Sequence, residues 1–241
     1  MKRIVSLLLA AILCFSMLAL TACGGDQTED DGVMSYEEFM AAPVDSVCTV
    51  ETNIQAWQGW WNNKLTAYFQ DNEGGAYFAY EMACTEEQAA LLTKGARVKL
   101  TGTKAEYAGE IEFYGTVSFE FVEDGESYVA TATDVTALID NADELIKHQN
   151  KLVSFKGLTV VSVSFKDGAA TPAESQDDVY VTVKLASGEE HSFCVETYLT
   201  GPSTEVYQTC ANLAAGDVVD IEGFLYWYNG VNTHVTACVV K

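Results

Sequence analysis

Basic residues are scarce in this chain: 13 Lys and Arg stand against 35 Asp and Glu in 241 residues, a formal net charge of −22. Such a balance favours solubility and repels polyanions, so nucleic acid, teichoic acid and anionic lipid headgroups are expected to be poor partners unless a local basic patch exists. Lys94, Arg97, Lys99 and Lys104 come nearest to one. Histidine is rarer still. His148, His191 and His234 are spread over a helix end and two strands, which argues against a three-histidine metal site. The chain has no HExxH, GxSxG, Walker or CxxC sequence, which removes the zincin, serine-hydrolase, P-loop, zinc-ribbon and thioredoxin-like readings. Carboxylates are so numerous that any acid–base pair would be chosen after the fact. Asp71, Asn72, Glu73 and Gly74 lack the rest of an EF-hand and read better as a hairpin turn than as a calcium loop. The expectation is a non-enzymatic chain without metal or cofactor.

Long apolar runs are also missing, apart from one at the amino terminus. Lys2 and Arg3 precede a greasy run from Ile4 to Leu20, and Leu20, Thr21, Ala22 and Cys23 follow. A basic start, a short apolar core and a small-residue cleavage site describe an export signal, and the run is short for a bilayer span. The Leu-x-Ala-Cys ending resembles the bacterial lipoprotein signal. That resemblance implies removal of residues 1–22, a diacylglycerol thioether on Cys23 and a lipid-anchored place on the extracytoplasmic face of the cell membrane. Residues 23–33, acidic and poor in large apolar groups, then read as a flexible tether. With Cys14 lost and Cys23 lipidated, Cys48, Cys84, Cys194, Cys210 and Cys238 remain. Four of these five lie in apolar strand contexts, where buried thiols are expected and disulfides are the alternative allowed outside the cell.

What the rest of the chain does have is an internal repeat. Ser35 aligns with Asn141, and without a gap Glu38 meets Glu144, Phe39 meets Leu145 and Val47 meets Val153. The alignment resumes at Gly95 and Gly216. From there Val98 and Leu100 match Val219 and Ile221, Gly102 matches Gly223, Tyr107 matches Tyr228 and Gly109 matches Gly230. Copy two carries extra loop residues, and much of that insertion is expected between Asp167 and Asp178. Alternation and turn signals give each copy a capped short helix, three strands, a helix and two strands. In copy one the strands begin near Val47, Lys64, Ala76, Arg97 and Glu110; in copy two near Leu152, Val179, His191, Val218 and Val231.

A helix between the third and fourth of five strands resembles the OB-fold, a partly open five-stranded barrel. The fold class expected is therefore mainly β, with two tandem OB-like domains over residues 34–123 and 134–241, linked near 123–133. The whole resembles exported, OB-containing bacterial lipoproteins. OB domains usually bind along strands two and three and in the loops between strands one and two and between four and five. Aromatic residues gather in that region: Trp57 on the polar side of the first strand, Trp60 and Trp61 in the next loop, and Tyr107 in the loop between strands four and five. Tyr68 and Tyr77 sit in the phase opposite the apolar sets Leu65, Ala67, Phe69 and Ala76, Phe78, Tyr80, while Trp227 and Tyr228 offer the copy-two counterpart. Aromatic platforms beside Asn53, Gln55, Asn62 and Asn63 suit a saccharide. The ordinary alternative is that these rings close a barrel end or pack one domain on the other. The reading is a membrane-anchored binding module for a saccharide or a protein partner. Its alternatives are a substrate-recognition accessory of an exported hydrolase or nuclease system and a structural envelope spacer.

Overall fold

The computed structural model describes residues 32–186 and 188–241; the signal, the lipidation site Cys23 and most of the tether lie outside the described residues. Residues 32–241 form one compact unit. Its first half runs α1 (Tyr36–Ala41), β1 (Val47–Trp57), β2 (Lys64–Gln70), β3 (Ala76–Ala83), α2 (Glu86–Leu91), β4 (Arg97–Tyr107) and β5 (Glu110–Phe121). These strands close into a barrel in the order β1-β2-β3-β5-β4, with β3 and β5 parallel. After β6 (Thr133–Asp134) and α3 (Ala142–Leu145) the second half repeats the plan with β7 (Leu152–Phe165), β8 (Val179–Lys184), β9 (His191–Val195), α4 (Glu205–Ala211), β10 (Val218–Phe224) and β11 (His234–Val240). Its sheet order is β7-β8-β9-β11-β10, and a β10–β7 pairing closes it. The chain is thus mainly β and built of two tandem OB-like barrels, each preceded by a short helix and each with a helix between strands three and four.

The repeat read in the sequence has a structural cause at each matched position. Ser35 and Asn141 both cap their helices by accepting from the backbone three residues on, Glu38 N and Glu144 N. Phe39 and Leu145 then turn inward as fully buried plugs. Gly95 and Gly216 both adopt positive φ, +90° and +97°, a region closed to most side chains. Each donates its N–H to the matching strand carbonyl, Gly95 to Ile54 at 2.7 Å and Gly216 to Val160 at 2.9 Å. That bond sets the start of the fourth strand in both barrels. Thr85 and Gln88 complete a capping box at α2. The longer loop of copy two packs on α4, where the Tyr207 hydroxyl donates to the Asp177 carbonyl at 2.8 Å.

Each barrel has its own core. In the first, Val50, Ile54, Phe69, Ala79, Leu100 and Phe113 are among the buried set; in the second, Phe155, Val181, Phe193, Tyr207 and Ile221 are. The five described cysteines are free thiols; Cys238 is half-buried and the other four are buried. Burial raises the Cys84 thiol to about 11 and pushes the Cys194 thiol higher still, which leaves both protonated and inert near neutrality. Among the described residues no helix is long and apolar enough to cross a membrane.

A third apolar cluster belongs to neither core. Tyr68 and Phe78, on the outer side of β2 and β3, join Leu152 and Phe224 of the second barrel and Ala130 of the linker. Tyr68 stacks on Phe224 with ring centres 4.6 Å apart, and Phe78 meets Tyr226 edge-on at 5.2 Å. The Tyr68 hydroxyl and the His234 imidazole are paired in this seam. Tyr68 accepts from Gln58 at 3.4 Å and lies 2.6 Å from His234 Nδ1. Burial lowers His234 to about 3, so the ring is neutral and the Tyr68 hydroxyl is the donor to Nδ1.

Four buried carboxamides complete the join. Gln55 donates to the carbonyls of Gln70 and Tyr128 and accepts from Ala130 N, fixing the linker on β1. Gln70 accepts from Leu152 N at 2.8 Å, where β7 begins. Gln149 accepts from Ile111 N and donates to the Gly109 carbonyl, and Asn150 donates to the Ile111 carbonyl. An unpaired amide in such a place costs about 1–3 kcal/mol. Their satisfaction accounts for a linker that is short of regular structure yet held against the barrel.

Candidate functional site

The face of β2 and β3 on which OB domains commonly bind is used here to hold the second barrel. Tyr68 therefore keeps the outward phase expected for it but is 1% exposed. Tyr77 faces the opposite way from the expectation. It lies inside the first barrel against Phe39 and Tyr36, at 5.1 and 5.6 Å, while Phe78 and Tyr80 face out. Trp57 also departs from its expected side, because a bulge between Ile54 and Ala56 shifts the register and turns its ring onto the first core. A single extra residue is enough to exchange the faces of a strand. Trp227 is 8% exposed and packs into the second core. These four rings are not available as a surface platform.

Trp60 and Trp61 are exposed in the β1–β2 loop, and Trp60 Nε1 donates to the Cys84 carbonyl at 2.8 Å. Asn53 and Gln55, expected beside a ligand, are buried and bonded to Gly95, Glu126, Tyr128 and Ala130. His191 pairs with Asp140 at 2.9 Å away from either principal cavity. Asp71 Oδ1 accepts from the N–H groups of Glu73 and Gly75, the pattern of a hairpin turn. Among the described residues no group of three or more His, Cys, Asp or Glu could hold a metal ion.

Tyr107 and Tyr228 stay exposed, and they meet. They occupy equivalent places in the repeat, Tyr107 at the end of β4 and Tyr228 in the loop after β10, with ring centres 5.9 Å apart. The two loops dock directly: Asn229 N donates to the Ala108 carbonyl at 2.8 Å, and Trp227 N donates to Glu110 Oε2 at 2.8 Å. Gly109, at φ +92°, lies under the Trp227 ring, where an added Cβ would stand 2.7 Å from Cδ1. Gly109→Ala is therefore expected to loosen this contact and cost about 1–3 kcal/mol through steric overlap and a disfavoured φ. A urea unfolding curve checks it; an unchanged midpoint would contradict the packing described.

Beside this contact lies a cavity of about 470 Å³ lined by Tyr80, Ala105, Glu106, Tyr107, Glu112, Tyr114 and Tyr226. Tyr80 comes from β3, Tyr114 and Glu112 from β5, Glu106 and Tyr107 from β4, and Tyr226 from the second barrel. Tyr80 and Tyr114 stack at 5.9 Å and an interplanar angle of 26°. Tyr226 is set by stacking on His234 at 4.5 Å. Glu112 is 5% exposed and its carboxyl is pushed up to about 7 by burial. Neighbouring Glu110, fully buried, is held well above the usual carboxylate range for the same reason, and its Oε1 makes no hydrogen bond within the described protein.

Of the aromatic residues expected from sequence at the β2–β3 face and its loops, Tyr107 lines this cavity and Tyr228 lies against Tyr107 beside it, while Tyr80, Glu106, Glu112 and Tyr114 were not among the expected site residues. Their signal was faint: Glu110, Glu112 and Tyr114 begin a polar phase on β5 that continues through Thr116, Ser118 and Glu120, which reads as an ordinary solvent face. Tyr226, next to Trp227 in the chain, is brought here by the second barrel.

No family model and no curated protein matches this chain. Solved structures similar to it include "Structure of murine DNA binding protein bound with ds DNA", at 11% identity and a TM-score of 0.36, covering 80% of this chain and 94% of that one. "Crystal structure of Ifi202 HINa domain in complex with 20bp dsDNA" is 9% identical with a TM-score of 0.35, covering 82% and 96%. A third, "Molecular basis for abrogation of activation of pro-inflammatory cytokines", is 9% identical with a TM-score of 0.34, covering 80% and 92%. The first two hold double-stranded DNA, and the expectation that nucleic acid is a poor partner is withdrawn on that finding. Whole-chain charge is a sum over the surface, whereas recognition depends on where charge lies.

Proposed function

We propose that this chain is a non-catalytic binding module whose ligand site is the tyrosine-lined cavity at the junction of the two barrels. The observation that carries this reading is the cavity itself. It gathers four tyrosines and two carboxylates from three strands of one barrel and a loop of the other, as ligand sites at domain junctions do. Tyrosine offers a flat apolar face with a polar tip at low conformational cost, so it suits a small ring or methyl-bearing group presented at the surface. The saccharide reading moves with the site. Trp57, Trp60 and Trp61, on which it rested, do not line the cavity, and a sugar would have to stack on Tyr80, Tyr114 or Tyr226 instead.

The module acts from the extracytoplasmic face of a membrane, held by lipid on Cys23 and spaced from it by the acidic tether. Support comes from the sequence of residues 2–23. Palmitate labelling of the full chain in a bacterial host tests this part: label on the wild type and none on Cys23→Ser is expected, and equal label on both would refute it.

The binding site is tested by tyrosine emission of the full chain during titration with neutral oligosaccharides, small organic amines and a 20-base-pair DNA duplex. A saturable change with one of these, at least tenfold weaker in Tyr114→Ala, is the expected result. Tyr114 is about half exposed, 52%, so its truncation leaves the fold intact. Binding of every active ligand unchanged in Tyr114→Ala and in Tyr226→Ala would place recognition elsewhere on the surface.

A further inference from the structure

We infer that the junction cavity is an aromatic cage for an organic cation, a ligand bearing a quaternary or methylated ammonium group. The inference rests on the binding-site reading above and gives it a ligand class. Its first ground is the lining. Tyr80, Tyr107, Tyr114 and Tyr226 surround the space, and no Lys or Arg does. Tyrosine faces carry negative potential and attract cations, most strongly those whose charge is diluted over methyl groups and easily stripped of water.

The second ground is Glu112. It is nearly buried and among the described residues forms neither a hydrogen bond nor an ion pair, yet it borders the cavity. A carboxylate in such surroundings normally has a donor or a countercharge. Lys64 on β2, which interacts electrostatically with Tyr80 and Tyr114, is held by Glu81 at 2.8 Å. A ligand cation in the cavity would supply the missing charge, while a sugar would leave it missing. Glu106 at the rim adds a second negative group.

The third ground is shape. Four rings and a carboxylate around about 470 Å³ leave room for a trimethylammonium head and part of whatever carries it. The rings come from both barrels, so the cage exists only while Tyr226 stays stacked on His234 and the barrels stay joined.

The discriminating pair of probes is choline and its uncharged isostere 3,3-dimethylbutan-1-ol, titrated calorimetrically into the full chain at pH 8. Choline should bind at least about tenfold more tightly than the isostere, in keeping with aromatic and carboxylate contacts to a cation. Glu112→Gln should weaken choline about tenfold and leave the isostere unchanged, and Tyr114→Ala should weaken both.

Choline binding should also fall as pH drops through 7, because protonation of Glu112 removes its charge, and Glu112→Gln should abolish that dependence. The other titratable or charged groups around Glu112 are Tyr80 and Glu81 on β3, Glu106 and Tyr107 on β4, Glu110 and Tyr114 on β5, Tyr226 and Tyr228 on the facing loop, and Lys64. Persistence of the pH dependence in Glu112→Gln would assign it to one of these and overturn the role given to Glu112. Equal affinity for choline and isostere, or tight binding of a neutral sugar that Tyr114→Ala abolishes and Glu112→Gln spares, would overturn the cation while leaving the cavity as the site. Binding that neither Tyr114→Ala nor Tyr226→Ala weakens would remove the site as well.

Discussion

Replacing Tyr68 with alanine is expected to lower the stability of the chain by about 3–5 kcal/mol, the range for truncating a large buried ring. The ring is 1% exposed and sits at the centre of the seam between the barrels, stacked on Phe224 and tilted against Phe78 at 5.1 Å. Truncation opens a cavity, and it also strips His234 Nδ1 of its donor in a site that holds the imidazole neutral. Tyr68→Phe separates the two effects: it keeps the packing and loses the hydrogen bond, for about 1–3 kcal/mol. Urea unfolding followed by tryptophan and tyrosine emission measures both. If the barrels were independent beads, the alanine variant would cost under about 1 kcal/mol, as exposed aromatics do.

The second large effect is one of pH and has a definite sign. Glu112 has its folded pKa raised from 4.5 to about 7 by burial, so between those values the folded state binds the extra proton. Its stabilising contribution is present below pH 4.5 and is lost as pH rises through about 7. His234 works at the other end. Its folded pKa is lowered from 6.5 to about 3, so the unfolded state takes the proton first and stability falls as pH drops below 6.5. The Glu112 contribution should therefore fall between about pH 4.5 and 7 and level off above that, and Glu112→Gln should recover about 2 kcal/mol at pH 8 and nearly nothing at pH 4.5. The full shift would correspond to about 3 kcal/mol, reduced because the cavity admits water. Equal effects of the substitution at both pH values would contradict the burial assigned to this carboxyl.

The barrels themselves were legible because their signals are local. Capping pairs, the two positive-φ glycines and the alternation on β4 and β10 each depend on a few neighbouring residues, and the repeat doubled every one of them. What escaped was set by partners distant in sequence. On β3 both faces are apolar, one for the barrel core and one for the second domain, so alternation could not tell which way Tyr77 points. On β1 a bulge reversed the phase just before Trp57. Tyr68 was given its correct side, yet nothing in one sequence says that the other barrel covers it. The cavity was hidden for the same reason: its residues come from β3, β4 and β5 and from a loop over a hundred residues further on.

The seam also explains why the site lies where it does. With the outer face of β2 and β3 of the first barrel occupied, an open concave surface remains beside the paired loops carrying Tyr107 and Tyr228. Rigidity there has a physical source in four paired carboxamides and a buried aromatic cluster, and a preorganised site loses less entropy on binding.

The most direct test of this account is NMR of the full chain with labelled tyrosine and tryptophan rings, titrated with choline, an oligosaccharide and duplex DNA. The account predicts that the ligand that binds shifts the rings of Tyr80, Tyr107, Tyr114 and Tyr226 together. Shifts confined to the exposed indoles of Trp60 and Trp61, with those four tyrosines unmoved, would contradict it.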